Sequence, residues 1–154
     1  TFPGFPTMSK TPSARLAAAG FKGWDGTDPF EDYAGPYFYK KNEAGEVICA
    51  FEAEPHHCNG GGFLHGGALM TFADYSLFCF ATDVLNGPAV TVSFSSEFTA
   101  AAAGEGIVYS RGEIVQNTGS MVFLRGQVFT GEQGNTRTLL NFSGIVKRVK
   151  RRPI

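Results

Sequence analysis

The sequence predicts an α+β domain in which one long buried helix is wrapped by a curved antiparallel sheet of about six strands. Residues 68–81 predict the helix, because this stretch contains no glycine or proline and is apolar on nearly every side. Strands are predicted where Val, Ile, Phe, Tyr and Thr are concentrated, at 37–41, 47–51, 89–98, 106–115, 120–130 and 137–146. Short turns join the last four segments, which predicts that they form an antiparallel meander.

The chain before the sheet contains one further predicted element. Residues 13–19 predict a short helix that ends at Gly20, and residues 20–36 predict a loop because glycine and proline recur there. The acidic residues of this loop are expected to form a solvated surface; they are Asp25, Asp28, Glu31 and Asp32. These observations divide the chain into an N-terminal arm (1–34), one domain (35–147) and a basic C-terminal tail (148–154).

Length and composition indicate a globular protein. The chain has 154 residues, of which 43% are hydrophobic and 18% charged, and this suits one domain with a sizeable core. A net charge of -1 creates no field that would attract nucleic acid or an anionic membrane, so neither partner is expected. Three cysteines without a CxxC pair, and an N-terminus without an apolar leader, favour free thiols in the cytoplasm.

A glycine-rich stretch, residues 59–67, leads directly into the predicted helix. The first N–H groups of a helix have no partner within it, and the helix dipole makes that end positive, so it can stabilise a developing oxyanion. A phosphate-binding loop is excluded, because GxxxxGK[ST] is absent and no Lys or Arg lies between Lys41 and Arg111. A dinucleotide site is also a poor fit, because no parallel βαβ unit surrounds the glycines.

Asp74 places a carboxylate inside the apolar helix. Burying it costs free energy unless it caps a backbone group, pairs with an arginine or takes part in a reaction. Gly66 and Asp74 are eight residues apart, which is about 12 Å along a helix, so one substrate carbonyl cannot contact both within one chain. If both act, Gly66 of one subunit must meet Asp74 of another, as in a two-fold dimer with antiparallel central helices.

Six residues in this region have the spacing N-x-x-G-x-x-H-G-G-(x6)-D; they are Asn59, Gly62, His65, Gly66, Gly67 and Asp74. This pattern resembles the signature of hot-dog thioesterases, most closely the phenylacetate-pathway and thioesterase-superfamily-member type, over residues 35–147. The resemblance implies hydrolysis of a small or medium acyl-CoA, or of an aryl-acyl-CoA, to the free acid and CoA. A homodimer is expected, with a dimer of dimers (a homotetramer) as the full assembly. No metal or redox cofactor is expected, because a carboxylate and an oxyanion site suffice for this reaction.

The resemblance also implies roles for individual residues. The Gly66 N–H would polarise the thioester carbonyl, and Asp74 of the partner subunit would act as general base on water or as nucleophile. Asn59 would orient the water or the leaving thiol. Thr91, on the strand after the helix, would assist the carboxylate, with Ser93 as a weaker candidate. His65 would hold the turn, and the expected substrate contacts are His65, Gly67, Phe63 and Ser93.

Part of the chain departs from that signature or allows other interpretations. Residues 99–103 (TAAAA) stand where relatives often carry Arg-Pro or Ser-Pro, so the residues at the pocket edge and at the CoA do not carry over. Six phenylalanines either shape an acyl pocket or belong to the core; they are Phe63, Phe72, Phe78, Phe80, Phe94 and Phe98. The basic residues 147–152 are expected to be solvated, with a contact to the CoA phosphates as the alternative.

The same residues bear on two competing functions and on a candidate metal or nucleophile site. A non-catalytic hot-dog module that binds acyl-CoA can lose its carboxylate, whereas Asp74 and Asn59 are both present here. A hot-dog hydratase or dehydratase would place a catalytic histidine in a different motif, which is not found. The run His56-His57-Cys58 suggests a metal site or a Cys/His nucleophile, but three consecutive side chains do not easily converge on one ion, so loop packing is expected.

Overall fold

The computed structural model describes residues 10–150, and the predictions for 1–9 and 151–154 lie outside this range. Within it the protein forms three α-helices: α1 Ala14–Ala18, α2 Pro29–Ala34 and α3 Gly66–Leu85. Its strands are β1 Phe38–Lys41, β2 Val47–Glu52, β3 Ala89–Phe98, β4 Ile107–Asn117, β5 Met121–Glu132 and β6 Asn135–Arg148. The predicted architecture, one long central helix and a six-stranded antiparallel sheet, is therefore confirmed.

The order of the strands differs from the prediction at one position. The sheet runs β1-β2-β4-β5-β6-β3, so β4, β5 and β6 form a meander, but β3 pairs with β6 at the far edge. The prediction of a meander that includes β3 is wrong. Residues 99–106 do not turn back directly from β3. They cross to the glycine-rich loop, where the Leu64 N–H donates to the Ala102 carbonyl at 3.0 Å and the Gly104 N–H to the Gly62 carbonyl at 3.1 Å.

The central helix α3 packs closely against the sheet, because two strands carry glycine where the helix approaches. A Cβ at Gly144 on β6 would overlap Leu77 Cδ1, and a Cβ at Gly112 on β4 would lie 2.5 Å from the Phe80 ring. Larger residues at these two positions would push the helix away. The buried core lies between this helix and the sheet and includes Phe51, Phe72, Leu77, Val108, Val128 and Leu140.

Arg148 closes the C-terminal end of α3. Its Nη2 donates to the Val84 carbonyl at 2.8 Å and to Asn117 Oδ1 at 2.7 Å. A cation is favoured at this end of a helix, where carbonyl groups lack partners. The sequence assigned Arg148 to the basic tail, but the residue ends β6 and its guanidinium is engaged within the domain.

Helix α2 stands where the sequence predicted a loop. Asp28 is its N-cap and accepts from the Glu31 N–H at 3.1 Å, and Pro29 occupies the first turn, where a missing N–H costs nothing. The prediction of a solvated acidic surface is correct for Asp25 and Asp28, which are exposed. It is wrong for Asp32, which is buried and forms an ion pair with Lys10 at 3.1 Å.

Helix α3 also meets the length and composition expected of a membrane-spanning helix. It has 20 residues and a mean hydropathy of 1.3, and no other helix within residues 10–150 meets both conditions. The core helix of a globular domain passes the same test. Here the residues of α3 that are fully buried face the sheet and the core beneath it.

Candidate active site

The glycine-rich loop is organised by the side chain of Asn59. Its Oδ1 accepts from the Gly61 N–H at 2.9 Å and from the Phe63 N–H at 3.2 Å, and Gly62 takes a φ of +82°. This short side-chain-stabilised turn delivers the chain to the start of α3. The carboxamide nitrogen of Asn59 donates to no residue in the described range, so it is free to contact a water or a thiol. The predicted role of Asn59 in orienting either of them stays a prediction.

His65 caps the N-terminus of α3. Its ring Nδ1 accepts from the Gly67 N–H at 2.8 Å, and its backbone N–H donates to the His57 carbonyl at 2.8 Å. The Gly67 N–H is therefore used inside the protomer. The Gly66 N–H finds no partner between residues 10 and 150, as the first turn of a helix allows. One backbone donor thus remains available at the positive end of the helix, and it belongs to Gly66.

The ring of Phe98 covers Gly66. A Cβ added to Gly66 would lie 3.0 Å from both Cε1 and Cζ of this ring, so a glycine is what allows the close contact. Phe98 is at the end of β3 and is 55% exposed, and Phe63 beside the loop is 48% exposed. The helix start is therefore flanked by two apolar rings. The sequence named Phe98 only as one of six phenylalanines, because its contact with Gly66 depends on the pairing of β3.

Asp74 and Thr91 are brought together by α3 and β3. The Thr91 hydroxyl donates to Asp74 Oδ1 at 2.7 Å, and both residues are half-buried. A short bond to a charged acceptor is stronger than one between neutral groups and fixes the rotamer of the carboxylate. The structure thus places Thr91 where the sequence expected an assisting hydroxyl.

Ser93 does not join this pair. A register shift lies between Thr91 and Ser93, so that Thr91 stands opposite Val146 and Ser93 opposite Ile145. Opposite residues share a face of the sheet, and consecutive residues alternate, so this bulge turns Ser93 away from the face of Thr91. Ser93 is accordingly exposed, and its hydroxyl is not a partner of Asp74. A contact of Ser93 with substrate stays a prediction.

A cavity of about 640 Å³ opens beside Asp74, between α2 and the C-terminal half of α3. Glu31 on α2 lines it, together with Tyr75 and Phe78 of α3. Burial, followed by repulsion from Asp28, Asp74 and Asp32, raises the pKa of Glu31 to about 7. The sequence missed Glu31 as a candidate, because it treated the whole acidic segment as solvated loop.

The run His56-His57-Cys58 has a structural role. His57 is buried; its Nδ1 accepts from the Glu54 N–H at 2.9 Å, and its Nε2 lies 2.8 Å from the Ala34 carbonyl. Burial lowers the pKa of His57, and the adjacent His56 lowers it further, so the ring is neutral and Nε2 donates to Ala34. This contact ties the end of α2 to the loop before α3. Among residues 10–150, no group of three His, Cys, Asp or Glu side chains has the arrangement of a metal site.

The predicted site residues therefore fall into two groups, one at the start of α3 and one near its middle. One contains Gly66 with Asn59, Phe63, His65 and Gly67, and the other contains Asp74 with Thr91. Gly66 and Asp74 are eight residues apart, which separates the groups by about 12 Å along the helix. The helix, its glycine-rich start and the curved antiparallel sheet define a domain of the hot-dog fold class.

Comparisons with known proteins agree with this class. The family model described as the thioesterase superfamily matches residues 61–136 of this chain. A Pseudomonas aeruginosa protein named by inference as an esterase, PA0474, is 36% identical over 58 residues, which cover 38% of this chain and 43% of that protein. The match thus spans less than half the length of this curated relative.

Two solved structures show the same fold. The BH2602 protein from Bacillus halodurans, solved with CoA, gives a TM-score of 0.72 at 20% identity and covers 82% of each chain. A point mutant of the phenylacetic acid degradation protein PaaI from Thermus thermophilus gives a TM-score of 0.65 at 26% identity, covering 79% of this chain and 100% of that one. The predicted hot-dog fold is thereby confirmed, and the match to the thioesterase superfamily model supports the predicted resemblance to thioesterases.

Proposed function

We propose that this protein hydrolyses the thioester of a small or medium acyl-CoA, or of an aryl-acyl-CoA, to the free acid and CoA. The observation that carries the proposal is the Asp74–Thr91 hydrogen bond of 2.7 Å, on the same helix whose first turn leaves the Gly66 N–H without a partner. A fixed carboxylate and a free backbone donor suffice for thioester hydrolysis, the first to activate water and the second to stabilise the oxyanion. The solved relatives named above, one with bound CoA and one from phenylacetate degradation, support this substrate class.

In the proposed reaction Asp74 accepts a proton from water while the oxygen of that water adds to the thioester carbon. The carbonyl oxygen becomes an oxyanion and accepts a hydrogen bond from the Gly66 N–H of the other protomer. The carbon–sulfur bond then breaks, the thiolate of CoA takes up a proton, and the acid leaves. Attack by the Asp74 carboxylate itself, through an anhydride that water later opens, is the alternative route to the same products.

The proposal requires a homodimer, and the two edges of the sheet favour one at β3. Strand β1 is short and ends in Lys40 and Lys41, which protect an edge from pairing. Strand β3 is 10 residues long and exposes Val90 and Val92 at 45% and 49%. Pairing of β3 with its copy would bury these valines and bring the two α3 helices together. Association of two dimers into a tetramer, and residence in the cytoplasm, stay predictions.

The test is release of free thiol from a panel of acyl-CoA and aryl-acyl-CoA thioesters, followed colorimetrically. We expect turnover of at least one panel member and a loss of roughly 10³-fold in kcat/KM in Asp74→Asn, because the amide cannot accept a proton from water. Asp83→Asn is the matched control, since this exposed residue of α3 only forms a surface ion pair with Lys41. Unchanged thiol release by Asp74→Asn would contradict the mechanism.

A further inference from the structure

The cavity beside α2 is lined by near neighbours of the Asp74–Thr91 pair, although neither member of the pair lines it. Phe78, which lies one helical turn after Asp74, lines the cavity on the side of α3. Ala89, two residues before Thr91 and therefore on the same face of β3, lines it on the side of the sheet. An acyl group whose carbonyl carbon lies at Asp74 would thus have this space immediately beside it.

The walls of the cavity are apolar on α3 and acidic on α2. Trp24 packs edge-on against Tyr75 with ring centroids 6.1 Å apart, and with Phe78 and Leu85 these rings form an apolar wall. Glu31 faces this wall, and its carboxyl makes no hydrogen bond or ion pair with any residue from 10 to 150. A half-buried carboxyl without a partner is costly, which is the situation expected where a ligand passes.

The negative charge on the side of the cavity that contains Glu31 is not compensated. Among the described lining residues the one cation is Lys10, which pairs with Asp32 at 3.1 Å and donates to the Gly26 carbonyl. Asp25 and Asp28 line the cavity as well, so Glu31 adds to a negative surface. A second carboxylate brought to within a few ångströms of these groups is repelled strongly, because the half-buried site is poorly screened.

We propose that this cavity receives the acyl group and that Glu31 makes the site reject acyl groups that end in a carboxylate. The inference rests on the proposed thioesterase function and adds a residue that determines its specificity. An acyl chain or aryl ring without a terminal charge packs against Trp24 and Phe78. A monothioester of a dicarboxylic acid would instead place its free carboxylate near Glu31.

The discrimination follows the ionisation of Glu31. Burial and the repulsion by Asp28, Asp74 and Asp32 outweigh the attraction of Lys10 and raise the pKa of Glu31 to about 7. Glu31 is therefore mostly neutral at pH 6 and mostly charged at pH 8. Three further titratable groups interact with Glu31, and all three are neutral between pH 6 and pH 8 because burial raises the pKa of each; they are Tyr37, Tyr75 and Cys79. The preference against a terminal carboxylate is expected to be weaker at pH 6 than at pH 8.

The test compares hexanoyl-CoA with adipyl-CoA, which has the same number of acyl carbons and a terminal carboxylate. The measured quantity is kcat/KM for hexanoyl-CoA divided by kcat/KM for adipyl-CoA, determined at pH 6 and at pH 8 in the full chain. Glu31→Gln is expected to lower this ratio about tenfold at pH 8 and to remove its pH dependence, since it deletes one charge at constant size. Glu43→Gln, in the exposed loop between β1 and β2, deletes a charge far from the cavity and should leave the ratio unchanged.

Glu31→Asp keeps the charge and is expected to keep the discrimination, which separates a charge effect from a packing effect. An unchanged ratio in Glu31→Gln, with turnover that still depends on Asp74, would overturn the assignment of Glu31 and leave the thioesterase function intact. If neither these two thioesters nor any member of the wider panel is hydrolysed, the proposed function fails, and calorimetric binding of the same two thioesters gives the selectivity instead. Equal affinities in the wild type would then overturn the charge discrimination as well.

Discussion

The two ends of the proposed site obtain their chemistry from different parts of the polypeptide. At Gly66 the functional group is a backbone N–H at the start of α3, at a position where the absence of a side chain admits the Phe98 ring. At Asp74 it is a side chain, held by a hydroxyl from β3 and located next to Tyr75, which lines the cavity beside α2. The first end depends on local sequence, and the second on segments that meet only after folding. This difference decides how each end can be tested without disturbing the other.

After that of Asp74→Asn, the largest expected effect comes from deleting the backbone donor. Gly66→Pro removes the N–H, and proline fits the first position of a helix; His65 before it has a ψ of 135°, which suits a residue that precedes proline. No hydrogen bond within the described residues is lost, because the Gly66 N–H makes none. We expect kcat to fall by about 10²–10³-fold, the range found for loss of one oxyanion donor.

Gly66→Ala is the matched control for this substitution. It keeps the N–H but also brings a Cβ to 3.0 Å from the Phe98 ring, so it reproduces the steric effect without the loss of the donor. Gly60→Ala, with no atom within 4 Å of the new Cβ, reports on the loop alone. Equal losses in Gly66→Pro and Gly66→Ala would mean that packing at Phe98, and not a donor, is what the position provides.

A mixed dimer tests whether the two ends serve each other across subunits. Asp74→Asn and Gly66→Pro each disable both sites of a homodimer. In a mixed dimer of the two variants, one site combines an intact Gly66 with an intact Asp74, and the other carries both substitutions. Random pairing should restore about a quarter of wild-type thiol release. If each protomer works alone, co-expression restores none, and the shared site is refuted.

The same contrast between local and long-range contacts explains what the sequence could predict. The glycine-rich start, the buried helix and the spacing of Gly66 and Asp74 are local, and the structure contains all of them. The position of β3 was predicted wrongly, because the pairing of β3 with β6 joins segments more than forty residues apart. Helix α2 was missed because Asp28 and Pro29, which cap and start it, are equally typical of loops. Glu31 and Phe98 gain their contacts only through these two elements.

A smaller effect is expected from the hydroxyl that holds Asp74. Thr91→Val keeps the size and β-branching of the side chain and removes the 2.7 Å hydrogen bond. Loss of one bond to a charged group is worth about 1.5–3 kcal/mol, and because the carboxylate is only reoriented we expect a loss of about tenfold in kcat. Ser93→Ala, beyond the bulge and on the other face of β3, should leave kcat unchanged. If Ser93→Ala lowered kcat and Thr91→Val did not, the assisting hydroxyl would be that of Ser93.

The smallest expected effect concerns stability at the cavity. Glu31 has a pKa of about 7 in the folded chain, above the ordinary 4.5, so the folded state holds its proton more tightly than the unfolded state. The stability that this proton contributes is complete below pH 4.5, falls as the pH rises through 7, and is absent at pH 8. Glu31→Gln should therefore stabilise the protein at pH 8 by about 1 kcal/mol, after a discount for solvent screening. That gain corresponds to a Tm higher by about 2–4 °C.

At pH 4 the same substitution should leave Tm unchanged, because Glu31 is then protonated in both states. Scanning calorimetry at a fixed protomer concentration keeps any dimer contribution constant between the variants. Glu43→Gln supplies the comparison for an exposed carboxyl and should show no such pH-dependent gain. A Tm difference of equal size at pH 4 and pH 8 would show that Glu31 acts through packing, and the unpaired carboxyl would then have no part in shaping the cavity beside Asp74.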